Sequence, residues 1–240
     1  MITTPAFTGE FFVPGLCGKW TEALHYARYQ FASEYVAGKD VLDIACGVGY
    51  GAALLASCGA RSVEGVDIRP ESVAHASGQY QSKNLRYKQG DVVSYGVSQS
   101  YDLIACFETI EHIPCYFEAL LNFKRLLRPG GLLLVSSPNR ILSSPGRLVT
   151  DSPENKFHIR EFTQPELTLL LEAAGFHVGC EDVFGQAFQL VSPSLILTKA
   201  LRKCLIRPFG ATSVVLDHNT LLKPNYFVLR ASSTLPSVSC

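Results

Sequence analysis

Neither sign of charge is in excess in this chain. Its 240 residues hold 21 Lys plus Arg against 21 Asp plus Glu, a formal net charge of zero. The overall basic field that gathers nucleic acid or an acidic membrane surface is therefore missing. The eight cysteines include no Cys-x-x-Cys pair and no metal-finger spacing. Several sit in apolar, strand-like runs, where a free thiol behaves as a small hydrophobe. The opening Met1-Ile-Thr-Thr-Pro5 has no basic stretch of the signal-peptide kind. Together these absences read as a reduced, cytoplasmic protein. No uninterrupted apolar run approaches the roughly 20 residues of a membrane helix, so a soluble protein is expected. No segment recurs. What remains is ordinary globular composition, 47% apolar and 18% charged. The length suits one α/β domain with an appendage and a large core.

The chain is organised around Val41 to Gly51. Val41, Leu42 and Ile44 form a buried-strand pattern interrupted by Asp43, and Gly47, Gly49 and Gly51 follow before an Ala/Leu-rich helical stretch. A strand, a glycine turn and a helix start let a ligand approach bare backbone. The next strand-like run ends at Asp67, with Ile68 beside it. An acid about 20 residues past the first glycine is placed to take a ribose diol. Gly47, Gly49 and Ala52 also satisfy a dinucleotide fingerprint, so a nicotinamide dinucleotide and S-adenosylmethionine both fit this much.

A helix is expected over Trp20 to Val36, from Leu24, Ala27, Phe31, Ala32 and Tyr35, and Gly38 stops it. Strands follow at Leu85–Lys88, leading to Gly90-Asp91-Val92, and at Tyr101–Phe107. A helix is expected over Tyr116–Leu127, broken by Arg128-Pro-Gly-Gly131 ahead of a strand at Leu132–Ser136. The stretch 136–153 reads as loop. Thr163 resembles an N-cap and Pro165 an early helical position for a helix to Ala174. Strands at Phe176–Val183 and Tyr226–Ala231 would complete the sheet as an antiparallel edge pair. Residues 1–19 form an N-terminal arm, 20–231 the domain with an insertion at 190–222, and 232–240 a flexible tail. The insertion, basic on one side and apolar on the other, is open between lid, substrate wall and dimer surface.

Asp43-x-x-x-Gly47-x-Gly49-x-Gly51 resembles the first motif of class I S-adenosylmethionine-dependent methyltransferases. Asp67, Gly90-Asp91 and Leu127-Arg-Pro-Gly-Gly131 match the same family in order. The resemblance implies a doubly wound, seven-stranded Rossmann-like α/β sheet. It implies a cofactor held by Asp43, Ala45, Gly47, Gly49, Asp67, Ile68, Asp91, Val92 and Phe107, with a leading helix laid over it. On that helix His25, Tyr26, Arg28 and Tyr29 are candidates, Arg28 foremost.

The ligand crevice of an open α/β sheet lies at the carboxyl ends of the strands, so Phe107 to His112 should face the reacting centre. Glu108, Glu111 and His112 share one face if that segment is helical. With His158 they resemble the Glu-x-x-Glu-His…His pattern of small-RNA 2′-O-methyltransferases and quinone-biosynthesis O-methyltransferases. That resemblance implies a divalent cation (Mg²⁺, Mn²⁺ or Zn²⁺) on Glu108, Glu111, His112 and His158. Glu-His also occurs at this place in metal-free relatives, where a histidine lines the pocket. His112, His158 and Glu111 are the candidate catalytic residues. Asn139, His158, Arg160, Glu161 and Phe162 suit a hydroxylated acceptor such as a sugar, since the resemblance is closest to the branch found with bacterial glycan and secondary-metabolite genes. The expected reaction is O-methylation of a glycan precursor or other small polar metabolite, with nucleic acid disfavoured and oligomeric state open. The alternatives are a metal-assisted RNA 2′-O-methyltransferase, an NAD-dependent oxidoreductase, and a non-catalytic binding module.

Overall fold

A computed structural model describes residues 12–179, 183–190 and 222–234; of the insertion, only Leu190 and Leu222 are among them, and most of the tail lies outside. Seven strands form one sheet: β1 (Asp40–Ile44), β2 (Ser62–Asp67), β3 (Leu85–Gln89), β4 (Tyr101–Cys106), β5 (Leu127–Pro138), β6 (Val183–Leu190) and β7 (Leu222–Ser232). Their order is β3-β2-β1-β4-β5-β7-β6. The first five are parallel, and β7 runs antiparallel to both β5 and β6. This is the Rossmann-like sheet with its antiparallel edge pair.

Central strands are apolar on both faces because both faces are covered. Val41 and Leu103 pack under α1 (Lys19–Ser33) and α2 (Tyr50–Ser57), with Tyr29, Ala32, Ala52 and Leu55. Leu42, Ile44 and Ile104 pack on the other face with α4 (Tyr116–Leu126) and α6 (Gln164–Ala173), through Leu120, Phe123, Leu167 and Leu171. A third helix, α3 (Pro70–Gln79), starts on its proline and joins β2 to β3. The start of α6 is a capping box. Glu166 N–H donates to the Thr163 hydroxyl, and Thr163 N–H donates to the Glu166 carboxylate at 2.7 Å.

Three departures from the sequence reading have physical causes. Arg128-Pro-Gly-Gly131 does not end before β5 but bulges inside it. Between the pairs Tyr101↔Leu127 and Leu103↔Leu132, β4 advances two residues while β5 advances five. Pro129 cannot donate to the ladder, so the extra residues loop out of it. The edge strand β6 lies at Val183–Leu190, later than expected. Of the stretch from Phe176, His177 makes one isolated bridge to Ser232, and Phe176 is instead buried in the core. Finally, the loop-like 136–153 contains a one-turn helix, α5 (Arg140–Ser143), capped by the Asn139 side chain accepting from Ile141 N–H.

Candidate active site

A cavity of about 670 Å³ opens over the carboxyl ends of β1, β2 and β4, beneath α1. The topology places it there, because the chain crosses from β1 to opposite sides of the sheet at this point. The lid helix is tied down by Gln186 of β6, whose amide donates to the Leu24 carbonyl at 3.0 Å. Gly51 allows α1 to approach α2: a Cβ there would sit 2.0 Å from the Tyr29 ring.

At one end, Ala45, Gly47, Asp67 and Ile68 line the cavity. Asp67 is buried, and its carboxylate accepts from Gly47 N–H at 2.9 Å and Arg69 N–H at 3.0 Å. Arg69 Nε also donates to Oδ1, at 3.3 Å, so of the roughly four acceptor positions of a carboxylate one stays open, on Oδ2. Gly47 (φ 55°) and Ala45 (φ 60°) are both left-handed, which turns the loop sharply at the strand end. A Cβ on Gly47 would meet nothing within 4 Å, so the space above it is open.

The structure moves other expected cofactor residues away from the cavity. Asp43 lies below the floor, where the Tyr29 hydroxyl donates to its two carboxylate oxygens at 3.0 and 3.2 Å. Burial pushes its pKa up to about 7, and the neighbouring Asp67 adds to the rise while Tyr29 opposes it. Gly49 (φ 87°) caps α2, and a Cβ there would lie 2.5 Å from Ala76 Cβ. Asp91 accepts from Val93 N–H at 2.7 Å in an exposed turn, and Val92 packs toward the core. Neither lines the cavity.

The other end is acidic. Glu108 is not on a helix with Glu111 and His112. It is left-handed (φ 48°), and a single 3₁₀ turn, Ile110–His112, follows. Glu108 N–H donates to the Ser136 hydroxyl, which donates back to the Glu108 carboxylate at 2.7 Å. Arg28 Nη2 approaches the same carboxylate at 3.4 Å, and its guanidinium lies over the Tyr226 ring at 4.9 Å. Arg28 is buried, with Nε and Nη1 lacking hydrogen-bond partners among the described residues. Both carboxylate oxygens of Glu111 are likewise buried without one. Burial first, then the Glu108 charge, raises its pKa well above the usual carboxylate range.

The Glu111 carbonyl receives Ile159 N–H at 2.8 Å and Arg160 N–H at 3.1 Å, which draws the 155–162 segment to the turn. His112 and His158 meet there edge to face, with ring centres 4.8 Å apart. Ligand atoms of Glu111, His112 and His158 lie within 4.8 Å of one another; Glu108 is not in that group. His112 Nδ1 is 2.8 Å from the Phe157 carbonyl, and His158 Nδ1 is 2.5 Å from Glu161 Oε1. Burial alone would raise the pKa of Glu161, but hydrogen bonds from His158, Ser143 and Ser144 outweigh it and hold it below the usual value. Of the expected residues the cavity brings together His25, Arg28, Tyr29, Ala45, Gly47, Asp67, Ile68, Phe107, Glu108, Glu111, His112 and His158, while Tyr26 does not line it. It adds Phe12, Asn155 and Tyr226. Tyr226 reaches it from β7, across the insertion, with no sequence signal to mark it.

The profile of a family described as "Methyltransferase domain" matches residues 19–181. The chain belongs to the class I S-adenosylmethionine-dependent methyltransferases. A probable S-adenosylmethionine-dependent methyltransferase of Mycolicibacterium smegmatis is 42% identical over 181 residues, 74% of this chain and 67% of that protein. The chain spans only 60% of a similarly named Mycobacterium tuberculosis protein, at 39% identity over 70% of this chain. A ubiquinone biosynthesis O-methyltransferase of Xylella fastidiosa is 32% identical, over 77% of this chain and 79% of that protein. A Burkholderia thailandensis 1,6-didemethyltoxoflavin-N1-methyltransferase, solved with S-adenosylhomocysteine, matches the fold with a TM-score of 0.61 at 24% identity, covering 90% of this chain and 81% of that one. The methyltransferase therefore uses S-adenosylmethionine, and the oxidoreductase alternative is set aside. No described helix is long and apolar enough to cross a membrane.

Proposed function

We propose that this methyltransferase transfers the methyl group to a hydroxyl of a small polar metabolite, such as a sugar or glycan precursor. The observation that carries this reading is the unpartnered, buried Glu111 carboxylate beside His112 and His158 on the cavity wall. A hydroxyl must lose its proton as it attacks, and an imidazole or a carboxylate at the reacting centre takes it.

S-adenosylmethionine supplies an activated methyl on a sulfonium leaving group. The chain's own task is alignment and electrostatics, which can contribute several kcal/mol through proximity alone. In this reading Asp67 accepts from a ribose hydroxyl, and the open backbone at Gly47 admits the cofactor. Arg28, with two donors to spare, faces the carboxylate of its methionine part. Phe107 closes the wall between the two ends. His158 Nε2 receives the acceptor's proton.

A divalent cation fits the same donor set. The Glu111 oxygens have no hydrogen-bond partner among the described residues, and both histidines have Nδ1 beside an oxygen (the Phe157 carbonyl and Glu161), the outer contacts that fix a ligating imidazole. Glu111, His112 and His158 would hold it, and it would acidify a hydroxyl or grip a vicinal pair. Glu108 is committed to Arg28 and Ser136. A screen of hydroxylated acceptors (sugars and the diol probe catechol) with labelled donor, with and without EDTA, tests the reading. Label should enter an acceptor hydroxyl, and chelation should lower the rate if the cation takes part. Transfer to amines alone, or to none of the hydroxylated acceptors, contradicts it.

A further inference from the structure

We propose that Glu161 is a positioning residue, which fixes the tautomer of His158 so that the Nε2 lone pair faces the cavity. This deepens the reading above and rests on it for the role of His158.

Glu161 lies outside the cavity lining and is 1% exposed. Its carboxylate gathers three partners: the hydroxyls of Ser143 at 2.5 Å and Ser144 at 2.7 Å donate to Oε2, and His158 Nδ1 lies 2.5 Å from Oε1. An ionised carboxylate only accepts, so the hydrogen of that last contact belongs to Nδ1. In neutral imidazole Nε2 is then the acceptor. A second contact requires the same assignment independently. The Asn155 amide nitrogen lies 2.9 Å from Nε2, and that amide is oriented by its oxygen, which accepts Phe157 N–H at 3.1 Å. An amide NH₂ donates, so Nε2 must accept. His158 and Asn155 both line the cavity. In the resting site the Asn155 amide therefore occupies the lone pair that an acceptor hydroxyl, or a cation, would take.

The anchor is built from the element after β5. Ser143 closes α5 and Ser144 is its C-cap. Glu154 N–H donates to the Ser144 hydroxyl at 2.8 Å, tying in the segment that leads to Asn155. Both hydroxyls hold Oε2, which leaves Oε1 to meet the imidazole, so Glu161 sets the ring and does not follow it.

The test uses the full chain with ¹⁵N-labelled histidine. The wild type should show His158 protonated at Nδ1, with that proton strongly downfield, as a charge-assisted bond gives. Glu161→Gln, which keeps shape and a neutral acceptor, should move the proton upfield. Glu161→Leu should leave the Asn155 amide as the one remaining hold on the ring, so that the Nδ1–H and Nε2–H forms exchange. In methyl transfer to catechol, Glu161→Leu should lower kcat about 10–100-fold, with S-adenosylhomocysteine affinity within about twofold and Glu161→Gln restoring part of the rate. A wild-type His158 protonated at Nε2, or ring signals unchanged in both variants, overturns the proposal. If the wild type methylates none of the hydroxylated acceptors while the ring signals behave as expected, the hydroxyl reading is contradicted and the positioning role stands.

Discussion

In the proposed reading one side chain, Asp67, carries the cofactor end of the site. It closes the loop onto Gly47 and Arg69 and keeps one acceptor position, on Oδ2, at the cavity wall. Replacing it with Ala should weaken S-adenosylhomocysteine binding by about 1.5–3 kcal/mol, since a hydroxyl bond to a charged group would go. Isothermal titration reads this directly, and unchanged affinity would count against the assignment. Asp43 makes a different demand. The folded protein holds its proton up to about pH 7, whereas the unfolded chain releases it near the ordinary carboxylate value. Its contribution to stability is therefore complete in acid and is lost as pH rises through about 7. Relative to Asp43→Asn, the wild type should lose melting temperature between about pH 4 and 7 in thermal scans without cofactor, and no more above that. A constant gap between the two proteins across that range would contradict the buried, proton-holding Asp43.

At the scale of elements, the site depends on how closely α1 can lie on α2. Gly51 permits that approach, because any side chain would enter the Tyr29 ring. Gly51→Ala should cost about 1–3 kcal/mol in denaturant unfolding, as overpacking does. It should also weaken cofactor binding by lifting the lid helix; a variant with native stability would show that the contact yields easily. The strands and helices of this region were legible in the sequence because apolar period and glycine position are local signals. The same signals placed Asp67, Gly47 and the Phe107–His112 tip at the crevice. Asp43 and Gly49 were read from motif spacing, but the motif also contains residues that build the turn from beneath, and spacing does not separate the two. The turn at Glu108 was illegible because a left-handed non-glycine residue has no sequence mark. So was the partnership of Glu161, Ser143 and Ser144, which joins residues 17 and 18 positions apart through tertiary packing.

Across the whole molecule, charge is balanced but unevenly placed. The net charge is zero, yet the cavity wall gathers Glu108, Glu111 and two histidines around one buried arginine. With Glu108 paired to that arginine and burial raising the Glu111 pKa, the wall suits a neutral acceptor or one gripped through a cation, in keeping with the proposed hydroxylated small molecule. In the proposed reading one end of the cavity holds the donor over the glycine turn and the other disposes of the proton, with α1 across both. The most direct measurement is a crystal structure with bound S-adenosylhomocysteine. The ribose should lie within hydrogen-bond distance of Asp67, and the sulfur should point toward Glu111 and His158. Adenosine bound away from Asp67, or sulfur directed away from the histidine pair, would contradict the account.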